Sequence, residues 1–116
     1  MSSDATRDQD APVPTDEESA HDLVLADLRT RGDLTPALQA DLEARKALGL
    51  ERYGTILQPH NGRDSLVDAY QEALDLVAYL RNEIQLRASL VGDHRPVINA
   101  YHAALDLLTF LRRQLP

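Results

Sequence analysis

Apolar positions recur at alternating four- and three-residue steps through the last part of the chain. Leu66, Tyr70, Ala73, Val77, Leu80 and Ile84 form one row, and Val97, Tyr101, Ala104, Leu108, Leu111 and Leu115 form a second. That spacing puts each row on one face of a helix, as a seam for packing on another helix. The first row predicts a helix opening near Asp64 or Ser65, where Ser65-x-x-Asp68 makes a capping box. The second predicts a helix from Pro96, and Gly92, Asp93 and His94 break the chain between them.

The two rows lie on a duplicated segment. "VDAYQEALDLVAYLRNEI" (67–84) aligns without gaps on "INAYHAALDLLTFLRRQL" (98–115), an offset of 31 residues. Two copies are too few for a solenoid, so the repeat reads as a helix pairing with its own copy inside a bundle.

Upstream, Thr15-x-x-Glu18 reads as a capping box, and Gly32 after Arg29 and Arg31 reads as a stop. They predict a first helix over about 16–31, with Val24 and Leu28 on one face and Leu25 close by. Thr35 and Pro36 open a second, with Leu38, Leu42 and Tyr53 near one face and Gly54 at its end. Gly49 weakens its middle by about 1 kcal/mol relative to Ala. "TILQPHNGRD" is a loop, because Pro59 and Asn61-Gly62 are turn residues. Strand signals are absent. The expected fold is all-α: an antiparallel helical bundle of about four helices containing the duplicated helix. Residues 1–14 are expected to be a disordered acidic leader, and 15–116 a single helical domain.

Composition narrows the function classes. The chain has 116 residues and no cysteine, which excludes disulfides and thiolate metal sites and fits a cytoplasmic protein. No apolar run is long enough to span a membrane. The net charge is −7. Residues 1–34 hold nine acids and three bases, net −6, and residues 35–116 hold ten acids and nine bases, net −1. The body is nearly balanced, without the basic stripe that nucleic-acid binding requires.

One pattern stands apart from packing. Asp68, Glu72, Asp75 and Tyr79 share a face of the third helix, at i, i+4, i+7 and i+11. Periodicity alone suits a solvated face. The alternative is a metal site, because Glu72-x-x-Asp75 presents two hard oxygen ligands to one cation, and Mg²⁺ takes few carboxylates, several waters and substrate phosphates. In the repeat, Glu72 becomes Ala103, Asp68 becomes Asn99 and only Asp75 keeps its acid, as Asp106. The fourth helix therefore cannot supply a matching pair, and further ligands would come from Glu43 or Glu51 of the second helix. Arg45, Lys46, Arg52 and Arg63 have the chemistry to hold phosphate oxygens. The plainer reading makes Arg45, Lys46 and Arg52 surface bases paired with Asp41 or Glu43 one turn away. His60 and Asn61 lie in the loop and could touch a base or sugar, or serve only as an exposed His and a turn residue.

"GLERYG", a short loop and "DAYQEALDLVAYL" together resemble the MazG-like, all-α nucleoside triphosphate pyrophosphohydrolases, small phage-type members in particular. The likeness covers roughly residues 38–86. It implies helical bundles that assemble as dimers or tetramers and hold Mg²⁺ on a nucleotide, cleaving between the α- and β-phosphates to give a monophosphate and pyrophosphate. On this chain Glu72 and Asp75 would bind Mg²⁺. Glu51 would be a third ligand or orient the attacking water, Glu43 a further ligand, and Asp68 and Tyr79 would support them. Arg45, Lys46, Arg52, Arg63, His60 and Asn61 would face the nucleotide. The family's Glu-Glu-x-x-Glu pattern is reduced here to the isolated Glu43 and Glu51, which eight residues set about 80° apart on a helix. Two other readings stay open: a non-catalytic protein that sequesters a nucleotide or cyclic nucleotide, and a plain helical homodimerisation module.

Overall fold

The computed structural model describes residues 5–116. Four helices and no strand are present among them: α1 (Ala20–Arg31), α2 (Pro36–Tyr53), α3 (Ser65–Arg87) and α4 (Arg95–Gln114). The all-α expectation holds. The chain divides into two compact units instead of the single domain expected over 15–116. One unit is Gln9–Arg63, in which α1 packs on α2. The other is Asp64–Pro116 with the N-terminal segment through Asp8, in which α3 packs on α4.

Local chemistry sets the helix ends. Ser19, not Thr15, caps α1: its hydroxyl accepts from the Asp22 amide at 3.0 Å, so the helix starts later than expected. Thr15 makes a tight turn instead, its hydroxyl accepting from the Glu17 amide at 3.1 Å. Thr35 caps α2 as expected, with Pro36 behind it and Gly54 closing the helix at φ 73°. On α3 the cap is Asp64, whose carboxylate accepts from the Leu66 and Val67 amides, so Ser65 is the first helical residue and not the cap.

The α3–α4 hairpin follows the repeat. Ala73 and Ala104, equivalent in the two copies, are both buried, and so is Leu111. Tyr70, Val77, Leu80 and Ile84 on α3, with Val97, Tyr101, Leu108 and Leu115 on or just after α4, are half-buried along the same line. The Arg112 guanidinium lies 5.9 Å from the Tyr70 ring centroid, which fixes the register of the pair. Leu66 departs from the expected row and is 43% exposed, because it sits level with the end of the chain, where α4 has run out.

In the other unit the apolar core is thin. Leu25 is its one fully buried apolar side chain, and Ser19, Thr55, Gln58 and Asn61 are buried with it. Val24 and Tyr53, both expected inward, are largely exposed; α1 turns His21, Leu25 and Leu28 inward instead. Gln58 acts as a polar core. Its amide nitrogen donates to the Thr15 and Glu17 carbonyls at 2.9 and 2.6 Å, and its oxygen accepts from the Thr15 amide at 2.9 Å. The Ala20 amide donates to the Leu57 carbonyl at 2.8 Å and the Val13 amide to the Asn61 carbonyl at 2.9 Å.

The disordered leader expected over 1–14 falls outside the described residues for 1–4. From Ala5 onward the structure differs from that expectation. Ala5 is buried, and the Gln71 side chain donates to the carbonyls of Ala5 and Arg7 at 2.9 and 2.7 Å. Arg63 donates to the carbonyls of Gln9 and Asp10 at 3.3 and 2.7 Å. Acidic, proline-containing composition suggested a free chain, but backbone carbonyls need no apolar periodicity to be captured by side-chain donors.

Two outcomes follow. Removing residues 1–14 deletes these bonds, each contributing about 1 kcal/mol, and should lower the melting temperature by several degrees; an unchanged temperature would show the segment adds nothing. Ala104→Leu forces a larger side chain between α3 and α4 and should cost about 1–3 kcal/mol in urea denaturation.

Candidate functional site

The candidate residues fall into two groups, one in each compact unit. On α3, Glu72 and Asp75 stand one turn apart, both exposed, and neither carboxylate has a hydrogen bond or ion pair among the described residues. Three residues separate them by about 60° around the helix. Asp68 is half-buried one turn before Glu72, and Tyr79 is exposed one turn after Asp75. An isolated like-charged pair at this spacing is mildly destabilising and gains from any cation that binds it.

In Gln9–Arg63 the expected residues are partly committed to structure. Lys46 forms a 2.8 Å ion pair with Asp22 of α1. The partner expected for this lysine was Asp41 or Glu43, one turn away on its own helix; instead the pair ties α2 to α1. The hydrogen bond from Lys46 holds the Asp22 carboxyl below the usual carboxylate range, with the Ser19 side chain adding to the effect. Glu43 accepts from Gln39 at 3.1 Å and lines an open groove of about 470 Å³ at the start of α2, with Leu34, Thr35, Pro36, Gln39 and Ala40. Glu51, Arg45 and Arg52 are exposed on α2. Glu51 lies two turns beyond Glu43 and outside that groove.

The loop between α2 and α3 holds the most constrained candidates. His60 adopts φ 52°, a left-handed conformation uncommon outside glycine, and its Nδ1 lies 3.0 Å from a Glu17 carboxylate oxygen. Asn61 is 2% exposed, and its side-chain oxygen accepts from the Arg63 amide at 3.1 Å. The Asn61 amide nitrogen is buried without a hydrogen-bond partner, as is Nδ1 of His21. A buried donor left unpaired costs about 1–3 kcal/mol. Asn61 therefore presents an unused donor within a loop that its neighbours hold in place. Arg63, expected to face phosphate, donates to backbone carbonyls of the N-terminal segment instead.

Among the described residues no group of three or more His, Asp or Glu side chains is arranged to hold a metal ion. Two carboxylates remain a fit for Mg²⁺, which completes its shell with waters and phosphate oxygens. No helix among the described residues is long and apolar enough to cross a membrane.

Sequence reasoning missed Ser19, Thr55 and Gln58, the buried polar residues that shape the loop. Ser19-x-x-Asp22 is itself a capping signal and could have placed the start of α1. A buried loop glutamine leaves no periodic trace. Comparison with family models, with curated proteins and with solved structures gives no match.

The Asp22–Lys46 pair yields a pH test. A carboxyl lowered in the folded state contributes stability above its ordinary value, and loses it as pH falls through the lowered one. Nuclear magnetic resonance titration of Asp22 should give a midpoint below that of a free aspartate. Lys46→Met should raise that midpoint toward the ordinary value and loosen α1 from α2 at neutral pH; an unmoved midpoint would remove Lys46 as the cause.

Proposed function

We propose that the chain is a Mg²⁺-dependent nucleotide pyrophosphohydrolase, converting a nucleoside triphosphate to a monophosphate and pyrophosphate. The supporting observation is the pair of unpartnered, exposed carboxylates of Glu72 and Asp75, one turn apart on α3. In a helix otherwise packed by its apolar row, they are the acids best arranged to accept a hard cation. When bound, Mg²⁺ polarises phosphate oxygens and lowers the pKa of a bound water. Asp68 and Tyr79 flank the pair on the same helix. The unpaired amide of Asn61 suits an acceptor on the nucleotide, and Arg45 and Arg52 are the exposed arginines with forks free for phosphate. Glu51 and Glu43 lie in the other unit, and their share in catalysis is a matter for their variants. Assembly as a homo-oligomer and a cytoplasmic location belong to the same reading.

A second reading, a helical homodimerisation module, is favoured by one observation: large apolar side chains remain exposed on α3 and α4, Tyr79 at 72% and Phe110 at 52%. Sequestration of a nucleotide without turnover is the third.

Pyrophosphate release from a panel of nucleoside triphosphates with Mg²⁺ separates them. Glu72→Gln and Asp75→Asn keep side-chain size and remove ligand charge. Each should lower turnover by about 10²–10³-fold while leaving the melting temperature unchanged or slightly higher. Asp106→Asn, the equivalent of Asp75 in the repeat, should retain activity because Ala103 stands where Glu72 would be. Glu51→Gln should impair turnover if that acid acts on the water. Parent-like rates for the α3 variants, or an equally dead Asp106→Asn, would return the acids to a solvated face. Tighter melting with nucleotide and no turnover would select sequestration.

A further inference from the structure

Each copy of the repeat carries a second row of small and apolar positions, displaced around the helix from the buried one. On α3 it runs through Ala69, Leu76, Tyr79 and Leu86, and on α4 through Ala100, Ala103, Leu107 and Phe110. The larger members are exposed: Leu76 42%, Tyr79 72%, Leu86 62%, Leu107 47% and Phe110 52%. This row lies about 60–140° from the Ala73 or Ala104 direction on its own helix, on the same side in both. In an antiparallel hairpin of two equivalent helices, the relation between copies is a two-fold turn perpendicular to the plane of the pair. Equivalent side directions then point to the same face. Both second rows therefore share one face of the α3–α4 hairpin.

We propose that this face docks the same hairpin of a second copy, making a four-helix bundle with α3 of each chain against α4 of the other. Three observations select a second copy and that pairing. The exposed side chains amount to a patch on the order of 600 Å² per copy, near the ~800 Å² per partner of a standard interface. The sizes on the two rows are complementary. The Tyr70–Arg112 contact sets Tyr79 level with Ala103, Leu76 level with Leu107 and Glu83 level with Ala100. A two-fold axis along the helices brings α3 over the partner's α4 at those same levels, so large residues meet small ones. The charges agree. Glu72 and Glu83 both lie in the α3 row, and their counterparts on α4 are Ala103 and Gln114. Stacking α3 on α3 would bring carboxylates together; stacking α3 on α4 keeps them apart.

The proposal rests on the homo-oligomer part of the functional reading and not on its chemistry. The experiment separates the two by measuring mass and turnover on the same proteins. Sedimentation equilibrium at micromolar concentration should give a dimer for the full chain. Leu107→Glu and Phe110→Glu should weaken association about tenfold or more with helicity retained. Glu83→Leu, which extends the apolar row, should tighten it. Because the chain has no cysteine, Tyr79→Cys and Ala103→Cys introduce single thiols. Oxidation of either variant alone should leave monomers on a denaturing gel, and a mixture of the two should give a cross-linked dimer. A monomeric parent would overturn the docking face, as would a dimer indifferent to the two glutamate variants. Cross-linking of Tyr79→Cys with itself, or none in the mixture, would overturn the α3-on-α4 pairing. Loss of turnover in Glu72→Gln with mass unchanged would speak only to the chemistry.

Discussion

Two helices can bury only one stripe each against one another, and that constraint governs the α3–α4 hairpin. Ala73 and Ala104 sit at its centre, where small side chains let the backbones approach. Half-buried larger residues extend the line to both ends. Everything else on these helices must face water or another surface. The second apolar row and the acids of α3 both belong to that remainder. They adjoin one another, Glu72 standing within the row itself, and so the question of what the acids do is bound to the question of what the row meets.

The Gln9–Arg63 unit solves the same problem differently. Its fully buried apolar contribution is a single leucine, and its order comes from hydrogen bonds that converge on Gln58. A glutamine that satisfies both its donor and its acceptor capacity on backbone groups is as directional as a short stretch of sheet. It holds the chain before α1 against the loop after α2. It thereby sets the loop from which Asn61 and His60 project, so the candidates with the most constrained geometry are positioned by residues that have no chemical role themselves.

The seams of α3 and α4 were legible in the sequence because packing imposes a period, and all six predicted positions from Val97 to Leu115 are at least half-buried. Exceptions arose where an element ends: Leu66 and Tyr53 lie at helix termini, beyond the reach of a neighbour. The starts of α2 and α4 were legible through proline, and the start of α1 was misplaced because two capping signals compete four residues apart. The division into two units and the anchoring of residues 5–14 were not legible. Both depend on single side chains reaching distant carbonyls, and such contacts leave no pattern along the chain. Within the site, the α3 acids stood out by their interruption of an apolar helix. The engagement of Lys46 and Arg63 did not, since a base shows its charge in a sequence but not its partner.

The Gln58 contacts also have a cost in chain entropy. They join residues 41 to 43 positions apart, whereas seven residues connect α3 to α4. Closing a loop about six times longer costs roughly 1.6 kcal/mol more, from the logarithmic dependence of closure on length. The hairpin closes its short loop with apolar contacts that tolerate small errors of angle. The other unit closes its long one with hydrogen bonds that do not. Order in the loop bearing Asn61 is thus gained last along the chain's route to compactness, and it is held by the bonds least forgiving of a misplaced atom.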